Sequence, residues 1–286
     1  MVVAASQGVS LSSPLRLGII NIMPRAEAYE HFIVRPLARA VLPVEIVWIR
    51  LRTHRYASSD GERIGGDYVE YETAVRDRPL DGLILTGAPV EEIDFREVHY
   101  WDELSEVLLA ARGDVASTLG LCWGGLALAK LLGIEKRLFE RKLFGVFQHT
   151  NLSPEGDLLA GFDDVFWCAH SRHSGANDRE IEAARDDGRI RLLAHGPEAG
   201  HTIFESHDGR FVMHLGHPEY EPARLAEEWE RDAALGRSDV QPPRHFDLRR
   251  PVNVWRSHCN DFFSQWLRRV ARGRAPSTAL GEGPVQ

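Results

Sequence analysis

The chain contains little cysteine and no long apolar run, and these two absences exclude several classes of protein. Its only cysteines are Cys122, Cys168 and Cys259. They are too few and too widely spaced for a disulfide framework, and no CxxC pair or His/Cys cluster has the spacing of zinc ligands. No apolar stretch reaches the length of a membrane span, and the N-terminus lacks the features of a signal peptide. We therefore expect a soluble cytoplasmic protein without a metal site.

An excess of positive charge is also missing. The 286 residues include 34 lysines and arginines against 42 aspartates and glutamates, which gives a formal net charge of -8. No basic stripe is present, so nucleic acid is not an expected partner. The length fits one large α/β domain with a sizeable core. We expect this domain to span residues 15–272, between a flexible N-terminal tail at 1–14 and a flexible C-terminal tail at 273–286.

Short apolar runs alternate with amphipathic segments along most of the chain. Strands are predicted at 15–22, 44–51, 80–85, 115–121, 142–150, 165–168, 189–195, 201–206 and 210–215. Helices are predicted near 27–40, 100–111, 123–132, 223–235 and 254–272, whereas 52–79 has little pattern and 236–253 is typical of a loop. This alternation favours an α/β fold, a mostly parallel sheet flanked by helices in three layers, with some later strands in hairpins.

A cysteine stands at the turn between one predicted strand and the helix that follows it. The run Gly120-Leu121-Cys122-Trp123-Gly124 ends a β-prone segment and leads into helix-forming residues. Glycines on both sides of a reactive side chain are typical of a nucleophile elbow, in which a Cβ would clash. A helix N-terminus also favours negative charge on a nearby sulfur. Cys122 is therefore the candidate nucleophile, although a single cysteine after a strand is more often a small buried hydrophobe.

A histidine and a glutamate follow the last predicted strand, in Gly216-His217-Pro218-Glu219. His217 can serve as the base that activates Cys122, with Glu219 orienting its imidazole ring. An acyl-transfer enzyme also needs donors for an oxyanion. The backbone N–H of Trp123 is one candidate, and the turn at Thr86-Gly87-Ala88-Pro89, where Gly87 follows another strand, offers a second. Together these residues predict a Cys-His-Glu acyl-transfer site.

Seven short motifs occur in a fixed order along the chain. They are Asn21-Ile22-Met23-Pro24, Leu85-Thr86-Gly87-Ala88-Pro89-Val90-Glu91, Tyr100-Trp101, Cys122-Trp123, His170-Ser171-Arg172, Gly216-His217-Pro218-Glu219-Tyr220 and Trp255-Arg256-Ser257-His258. Together they resemble the motifs of one family, the homoserine O-acyltransferases of the MetA type, which have a class I glutamine-amidotransferase-like (flavodoxin-like) fold. The resemblance covers residues 15–268.

The resemblance implies a ping-pong reaction in methionine biosynthesis. Cys122 takes the acyl group from an acyl-CoA as a thioester, and L-homoserine, activated by His217, then accepts it on its hydroxyl. The family's substrate-binding residues fall on Lys142, Ser171 and Arg231. The resemblance also implies a homodimer, with acyl-CoA as a co-substrate and no bound cofactor.

In the family that these motifs resemble, the residue after Thr-Gly-Ala-Pro-x looks like the position that selects the acyl donor. Glycine there goes with succinyl-CoA and glutamate with acetyl-CoA, and this chain has Glu91. A carboxylate would repel the free carboxylate of a succinyl group and fill its space. We therefore expect a homoserine O-acetyltransferase.

Other activities are compatible with the same residues. Homoserine O-succinyltransferase and serine O-acyltransferase are the first alternatives, since serine is only one methylene shorter than homoserine. A glutaminase of the glutamine amidotransferase type is the second, because Gly120-x-Cys122-x-Gly124 and His217-x-Glu219 fit that class. A non-enzymatic binding protein on this fold is disfavoured by the presence of all three candidate catalytic residues.

Overall fold

The computed structural model describes residues 13–56 and 66–274, and within these ranges the chain forms nine strands and seven α-helices of at least seven residues. The strands are β1 Leu15–Ile20, β2 Val44–Ile49, β3 Gly82–Leu85, β4 Ser117–Leu121, β5 Lys136–Asn151, β6 Val165–Ala176, β7 Ile190–Gly196, β8 Gly200–Ser206 and β9 Phe211–His214. The helices are α1 Ala26–Ala38, α2 Tyr71–Asp77, α3 Trp101–Asp114, α4 Trp123–Leu131, α5 Asp178–Asp186, α6 Pro222–Ala234 and α7 Arg256–Gly273.

All nine strands belong to one mixed sheet with the order β2-β1-β3-β4-β9-β8-β7-β5-β6. The strands β2, β1, β3, β4 and β9 are parallel to their neighbours in that order. From β9 outwards the pairing is antiparallel, through β8 and β7 to the long β5–β6 ribbon. The carboxyl ends of β3, β4 and β9 therefore meet at one edge, which is where ligands bind in open α/β sheets.

Helices cover both faces of the sheet, which confirms the expected three-layer α/β fold. Side chains of α1 and α7 share one apolar cluster with Ile84 of β3, whereas α2, α3, α4 and α5 share the other with Leu83 and Leu85. Successive residues of β3 thus point to opposite faces, and both faces are buried. No described helix combines the length and the apolar character that crossing a membrane requires.

Most predicted elements agree with the structure to within a few residues, but α5 and half of the β5–β6 ribbon were missed. Only Ile181 and Ala184 are buried in α5, so its short charged sequence offers few apolar residues by which to recognise a helix. The first residues of β5, from Lys136 to Arg141, are largely exposed and charged and do not stand out as a strand. The unpatterned segment 52–79 contains α2.

The expected tails lie almost wholly outside the described residues, at 1–12 and 275–286. The boundaries of the single domain stay a prediction.

Two glycines allow β3, β4 and α4 to meet closely around the strand–helix turn. A Cβ on Gly120 would collide with the backbone carbonyl of Gly124. A Cβ on Gly124 would lie 2.5 Å from the carbonyl oxygen of Leu85 and 2.7 Å from that of Thr86. Because backbone atoms at that range cannot move aside cheaply, these positions require glycine for packing.

We expect Gly124→Ala to lower the free energy of unfolding by about 1–3 kcal/mol, as overpacking of a tight interior does. Gly113 in α3 is the matched control, because a Cβ there would have no heavy atom within 4 Å. Gly113→Ala should be neutral or stabilise by about 0.5–1 kcal/mol through helix propensity. Urea unfolding followed by circular dichroism measures both, and equal stability of the two variants would show that the turn can relax.

Candidate active site

Cys122 occupies a sharp turn between β4 and α4. Its backbone has φ 49° and ψ -114°, and among the described residues only His245 is another non-glycine with positive φ. Such a conformation costs about 1–3 kcal/mol and persists where the surrounding structure imposes it. Here the Cys122 N–H donates to the carbonyl of His214 on β9 at 2.8 Å. The turn places the side chain at the N-terminus of α4, as predicted for a nucleophile elbow.

His217 follows β9 and lines the same cavity as Cys122, and both side chains lie against Gly87. Nδ1 of His217 is 2.7 Å from Oε1 of Glu219, and both residues are buried. Burial would lower the pKa of His217, but the neighbouring Cys122 and Glu219 together hold it well above its usual value. The three residues predicted from two separate motifs therefore form one chain of contacts from sulfur to imidazole to carboxylate.

Tyr29 of α1 is a further partner of Glu219 that sequence reasoning missed. Its hydroxyl donates a short hydrogen bond to the same Oε1 that faces His217. Burial and the Glu219 carboxylate raise the pKa of Tyr29 well above its usual value, so the hydroxyl remains a donor. The carboxylate is thus fixed from two sides. The only signal in the sequence was an aromatic residue in the buried stripe of α1.

The two residues predicted to supply the oxyanion donors, Gly87 and Trp123, lie next to Cys122. A Cβ built on Gly87 would be 3.4 Å from Cβ of Cys122 and 3.7 Å from Cε1 of His217. Trp123 is the first residue of α4, where N–H groups have no acceptor within the helix. In the part of the chain that the structure describes, neither amide donates to another group. The Trp123 side chain instead packs among aromatic residues away from the sulfur, against Phe95 and Tyr100.

Glu91 reaches Cys122 from the loop after β3. One of its carboxylate oxygens lies 4.0 Å from Sγ of Cys122, and the other accepts from the backbone N–H of His173 at 3.0 Å. Burial raises the pKa of this carboxyl to about 7. The residue expected to govern the acyl donor therefore lies directly against the sulfur rather than in solvent.

The three predicted substrate-binding residues belong to one polar cluster. Lys142 is buried, and its Nζ lies 2.7 Å from Oδ2 of Asp232 and 3.7 Å from Oε2 of Glu228. The hydroxyl of Ser171 donates a short hydrogen bond to Glu228. Arg231 is half exposed and pairs with Asp232 at 2.7 Å. The cluster thus offers charges of both signs within one site.

Glu228 and Asp232 were not predicted, although the sequence held a signal for them. They occupy the buried stripe of α6 together with Leu225, at helical spacing. Acidic residues in a buried stripe are rare unless they are paired, so this spacing marks a polar site. Lys142, Arg224 and the hydroxyl of Ser171 hold the pKa of Glu228 below its usual value despite its burial.

One cavity of about 260 Å³ brings the site together. It is lined by the sulfur-bearing turn, the loop after β3, and the polar cluster on β5, β6 and α6. Its walls include Gly87, Glu91, Cys122, Lys142, Ser171, His217, Tyr220, Glu228, Arg231 and Asp232.

At the mouth of the cavity, Glu92, His173 and Asp239 place possible metal-ligand atoms within 4.8 Å of one another. Arg237 already pairs with the carboxylates of Glu92 and Asp239, at 3.1 Å and 2.7 Å. An arginine between the two acids satisfies their charge, so this cluster is well explained as an ion-pair network.

Comparison with known proteins identifies close relatives of the whole chain. The family model described as homoserine O-succinyltransferase matches residues 3–276. A homoserine O-acetyltransferase of Geobacillus kaustophilus is 39% identical over 259 residues, covering 89% of this chain and 84% of the relative. The homoserine O-acetyltransferases of Brevibacillus brevis and Bacillus subtilis are 38% and 35% identical, with the same 89% of this chain covered and 83% and 84% of the relatives.

Solved structures with the same fold are more distant in sequence. A glutamine amidotransferase of Methylobacillus flagellatus has a TM-score of 0.60 and 16% identity, covering 91% of this chain and 96% of its own. A glutamine amidotransferase of Thermotoga maritima has a TM-score of 0.58 and 14% identity, covering 91% and 99%. These similarities confirm the class I glutamine-amidotransferase-like fold.

The His217–Glu219 pair predicts how Cys122 reacts with an alkylating reagent. In Glu219→Gln, one of the two groups that raise the pKa of the buried His217 is lost, so less imidazolium is present beside Cys122 at pH 7. We expect alkylation of Cys122 by iodoacetamide to slow about tenfold or more, since a hydrogen bond to a charged group is worth ~1.5–3 kcal/mol.

Glu205→Gln is the matched control, because Glu205 is also buried but pairs with Arg191 and Arg269 outside this cavity. Peptide mapping by mass spectrometry assigns the label. Burial raises the pKa of both Cys168 and Cys259, so these thiols should react slowly. Equal rates for Glu219→Gln and Glu205→Gln would contradict the role of Glu219.

Proposed function

The chain belongs to the homoserine O-succinyltransferase family, and we propose that it transfers an acetyl group from acetyl-CoA to the hydroxyl of L-homoserine through a thioester on Cys122. This activity serves methionine biosynthesis. The observation that carries the proposal is that Cys122, His217 and Glu91 line one cavity, with a carboxylate oxygen of Glu91 4.0 Å from Sγ of Cys122. A sulfur nucleophile, its base and a carboxylate suited to reject a longer acidic acyl group are thereby adjacent.

In the first half-reaction the Cys122 thiolate attacks the carbonyl carbon of acetyl-CoA. The new bond joins Sγ to that carbon, and the negative charge moves to the carbonyl oxygen, where the N–H groups of Gly87 and Trp123 can stabilise it. The bond from carbon to the CoA sulfur then breaks. His217, held as imidazolium by Glu219, gives its proton to the leaving thiolate.

In the second half-reaction the neutral His217 accepts the proton of the homoserine hydroxyl. The oxygen attacks the thioester carbon, and the bond between that carbon and Sγ breaks to release O-acetylhomoserine. Cys122 returns as a thiolate beside the imidazolium of His217, so the site is ready for another acetyl-CoA. Glu219, fixed by Tyr29, keeps the ring oriented through both steps.

The polar cluster suits the zwitterionic end of an amino acid. Lys142 and Arg231 provide cations for an α-carboxylate, and Glu228 and Asp232 provide carboxylates for an α-ammonium group. In the structure these charges neutralise one another, with Lys142 only 2.7 Å from Asp232. An incoming zwitterion can exchange partners with them without leaving a buried charge unpaired, which would be costly. Ser171 contributes a hydroxyl to the same wall.

Two observations favour acetyl over succinyl as the acyl group. The curated relatives at 35–39% identity are named homoserine O-acetyltransferase. The Glu91 carboxyl is also buried 4.0 Å from the sulfur, where an acyl chain must lie once the thioester has formed. A succinyl group would place a second carboxylate there, and the Glu91 side chain would exclude it by size and repel it by charge.

The glutaminase alternative is supported only by a fold that many activities share, because the amidotransferase structures are 14–16% identical to this chain. Serine as acceptor remains an alternative that the pocket does not exclude by size. The homodimer and the cytoplasmic location expected from the sequence stay predictions, as does the absence of a metal.

The thioester is the first test. Incubation of the protein with acetyl-CoA and no acceptor should increase the mass of the peptide that contains Cys122 by one acetyl group, and hydroxylamine should remove it. Homoserine should discharge it with release of O-acetylhomoserine, whereas glutamine should release no ammonia. Cys122→Ala should form no adduct and lose turnover, with Cys259→Ala as the matched control. A fully active Cys122→Ala variant would rule out the mechanism.

Donor choice is the second test, and it has a pH dependence. Because the pKa of Glu91 is about 7, its carboxyl is charged above that pH and neutral below it. We expect the preference for acetyl-CoA over succinyl-CoA to weaken as the pH falls below 7. The ratio of the two kcat/KM values measures this, since an effect of pH that is common to both donors cancels from the ratio.

Two substitutions separate charge from size at this position. Glu91→Gln should remove the pH dependence of the ratio while still hindering the longer group. Glu91→Gly should raise relative use of succinyl-CoA about hundredfold, as expected from losing ~2–3 kcal/mol of repulsion in a partly buried site. An unchanged donor ratio in Glu91→Gly would refute the role of this residue.

A further inference from the structure

A second cavity opens directly beside the one that holds Cys122. Its volume is about 560 Å³, and it lies where the start of α1 faces the start of α6. The two cavities share four wall residues, Met23, Pro89, Arg224 and Arg231. We call this second cavity the α1–α6 groove. Because the walls are shared, a ligand in the groove can extend to the sulfur.

We propose that the α1–α6 groove binds the pantetheine arm of acyl-CoA, with Arg25 and His31 placed to contact its phosphates. The inference rests on the proposed acetyl transfer and assigns a place to the part of the donor that does not react. The cavity around Cys122, at about 260 Å³, suits an amino acid and a small acyl group. A whole coenzyme A exceeds it, so the arm must leave through an adjoining opening.

The chemistry fixes the direction in which the arm leaves. The acyl group points to Glu91, whereas the CoA sulfur must depart beside the imidazole that protonates it, His217. The ring of His217 stacks on Tyr220 with centroids 4.0 Å apart. Tyr220 in turn faces Phe32, at 6.0 Å between centroids, and the guanidinium of Arg224. Phe32 and Arg224 both line the groove, so the leaving sulfur is on its side of the site.

The walls of the groove match a neutral, mostly alkyl chain that ends in phosphates. Apolar surface comes from Met23, Ala28, Phe32, Pro89 and Ala223. Burial of alkyl groups on such a surface is favourable, and the arm needs few polar partners. The groove therefore offers contact area where the pantetheine chain would lie.

Cations outnumber anions among the residues that line the groove. Although the formal net charge is -8, three arginines and one histidine line the groove against two glutamates, and two of these arginines, Arg224 and Arg231, also pair with Glu228 and Asp232 of the adjoining cavity. Both glutamates that line the groove already have arginine partners: Glu221 pairs with Arg35 and Arg256, and Glu227 with Arg224 at 3.4 Å.

Arg25 and His31, at the α1 wall, are exposed. A cation there can bind phosphate by charge-assisted hydrogen bonds.

Blocking the groove is the first experiment. Ala28→Trp places a large ring in the groove without removing any polar group, and Ala38→Trp changes an exposed alanine of the same helix outside it. We expect the KM for acetyl-CoA to rise about tenfold or more in Ala28→Trp, as for a lost apolar binding site, and not in Ala38→Trp. Acetylation of Cys122 by p-nitrophenyl acetate, which has no pantetheine arm, should change far less in Ala28→Trp.

Reversing charge is the second experiment. Arg25→Glu should raise the KM for acetyl-CoA about tenfold at low salt, and the effect should shrink at high salt because ions screen exposed charges. The KM for S-acetylpantetheine, which lacks phosphate, should be unaffected by the substitution. Arg39→Glu changes an exposed arginine just after the same helix and is the matched control. Equal effects on both donors would overturn the assignment of Arg25 to phosphate.

The outcomes distinguish the groove from the activity. In one outcome, wild-type protein turns over acetyl-CoA with homoserine while Ala28→Trp and Ala38→Trp have equal KM values for acetyl-CoA. That result would overturn the assignment of the groove to the pantetheine arm and leave the proposed activity intact. If wild-type protein releases no CoA, calorimetric binding of CoA itself decides. Binding to wild type that is lost in Ala28→Trp supports the groove with another CoA reaction, whereas equal or absent binding overturns it.

Discussion

The backbone turn at Cys122 is the constraint on which the rest of the site depends. A positive φ at this residue is held by its hydrogen bond to His214 and by the close approach of α4 to β3. Since β3, β4 and β9 are adjacent and parallel, fixing one strand end fixes the other two. Gly87 and His217 are then placed next to Cys122 by the ends of the strands that they follow. The strain at one residue is maintained by the packing of a whole sheet, which explains why glycines rather than larger residues surround it.

Two buried charge networks divide the chemistry between them. His217 lies between Cys122 and Glu219. In the proposed reaction it gives a proton to the leaving group and takes one back from the acceptor, and Cys122 and His217 together carry no net charge before or after each transfer. Lys142 stands among carboxylates on α6, where a zwitterion can replace existing ion pairs. Each network is closed by a group from a distant part of the chain, Tyr29 in the first case and Asp232 in the second. Closing them limits the cost of burying charge, because an unpaired ion would be far more expensive than a paired one.

The parts of the site that could be predicted from the sequence are residues that belong to short local motifs. Cys122, His217 and Gly87 each follow a strand that is apolar enough to recognise, so their meeting at one sheet edge follows from the topology of parallel strands. Tyr29, Glu228 and Asp232 could not be placed in this way. They reach the site from helix faces, and which face turns inward depends on packing against the sheet rather than on any local motif. The same limit applies to α5, whose charged sequence becomes a helix through only a few buried contacts.

In the proposed reaction, the two ends of the acyl donor would contact separate parts of the molecule. Glu91, which is bonded to β6, would face the acyl group, while the α1–α6 groove lies on the side of His217 and would contact only the coenzyme. A substitution at Glu91 can therefore change the acyl group without altering how CoA is held. Under this proposal, one scaffold could serve either acyl group, in keeping with a family model that is named for succinyl transfer and relatives at 35–39% identity that are named for acetyl transfer. The buried carboxyl of Glu91 is the residue proposed to discriminate, since the length of the acyl chain can be sensed only beside the sulfur.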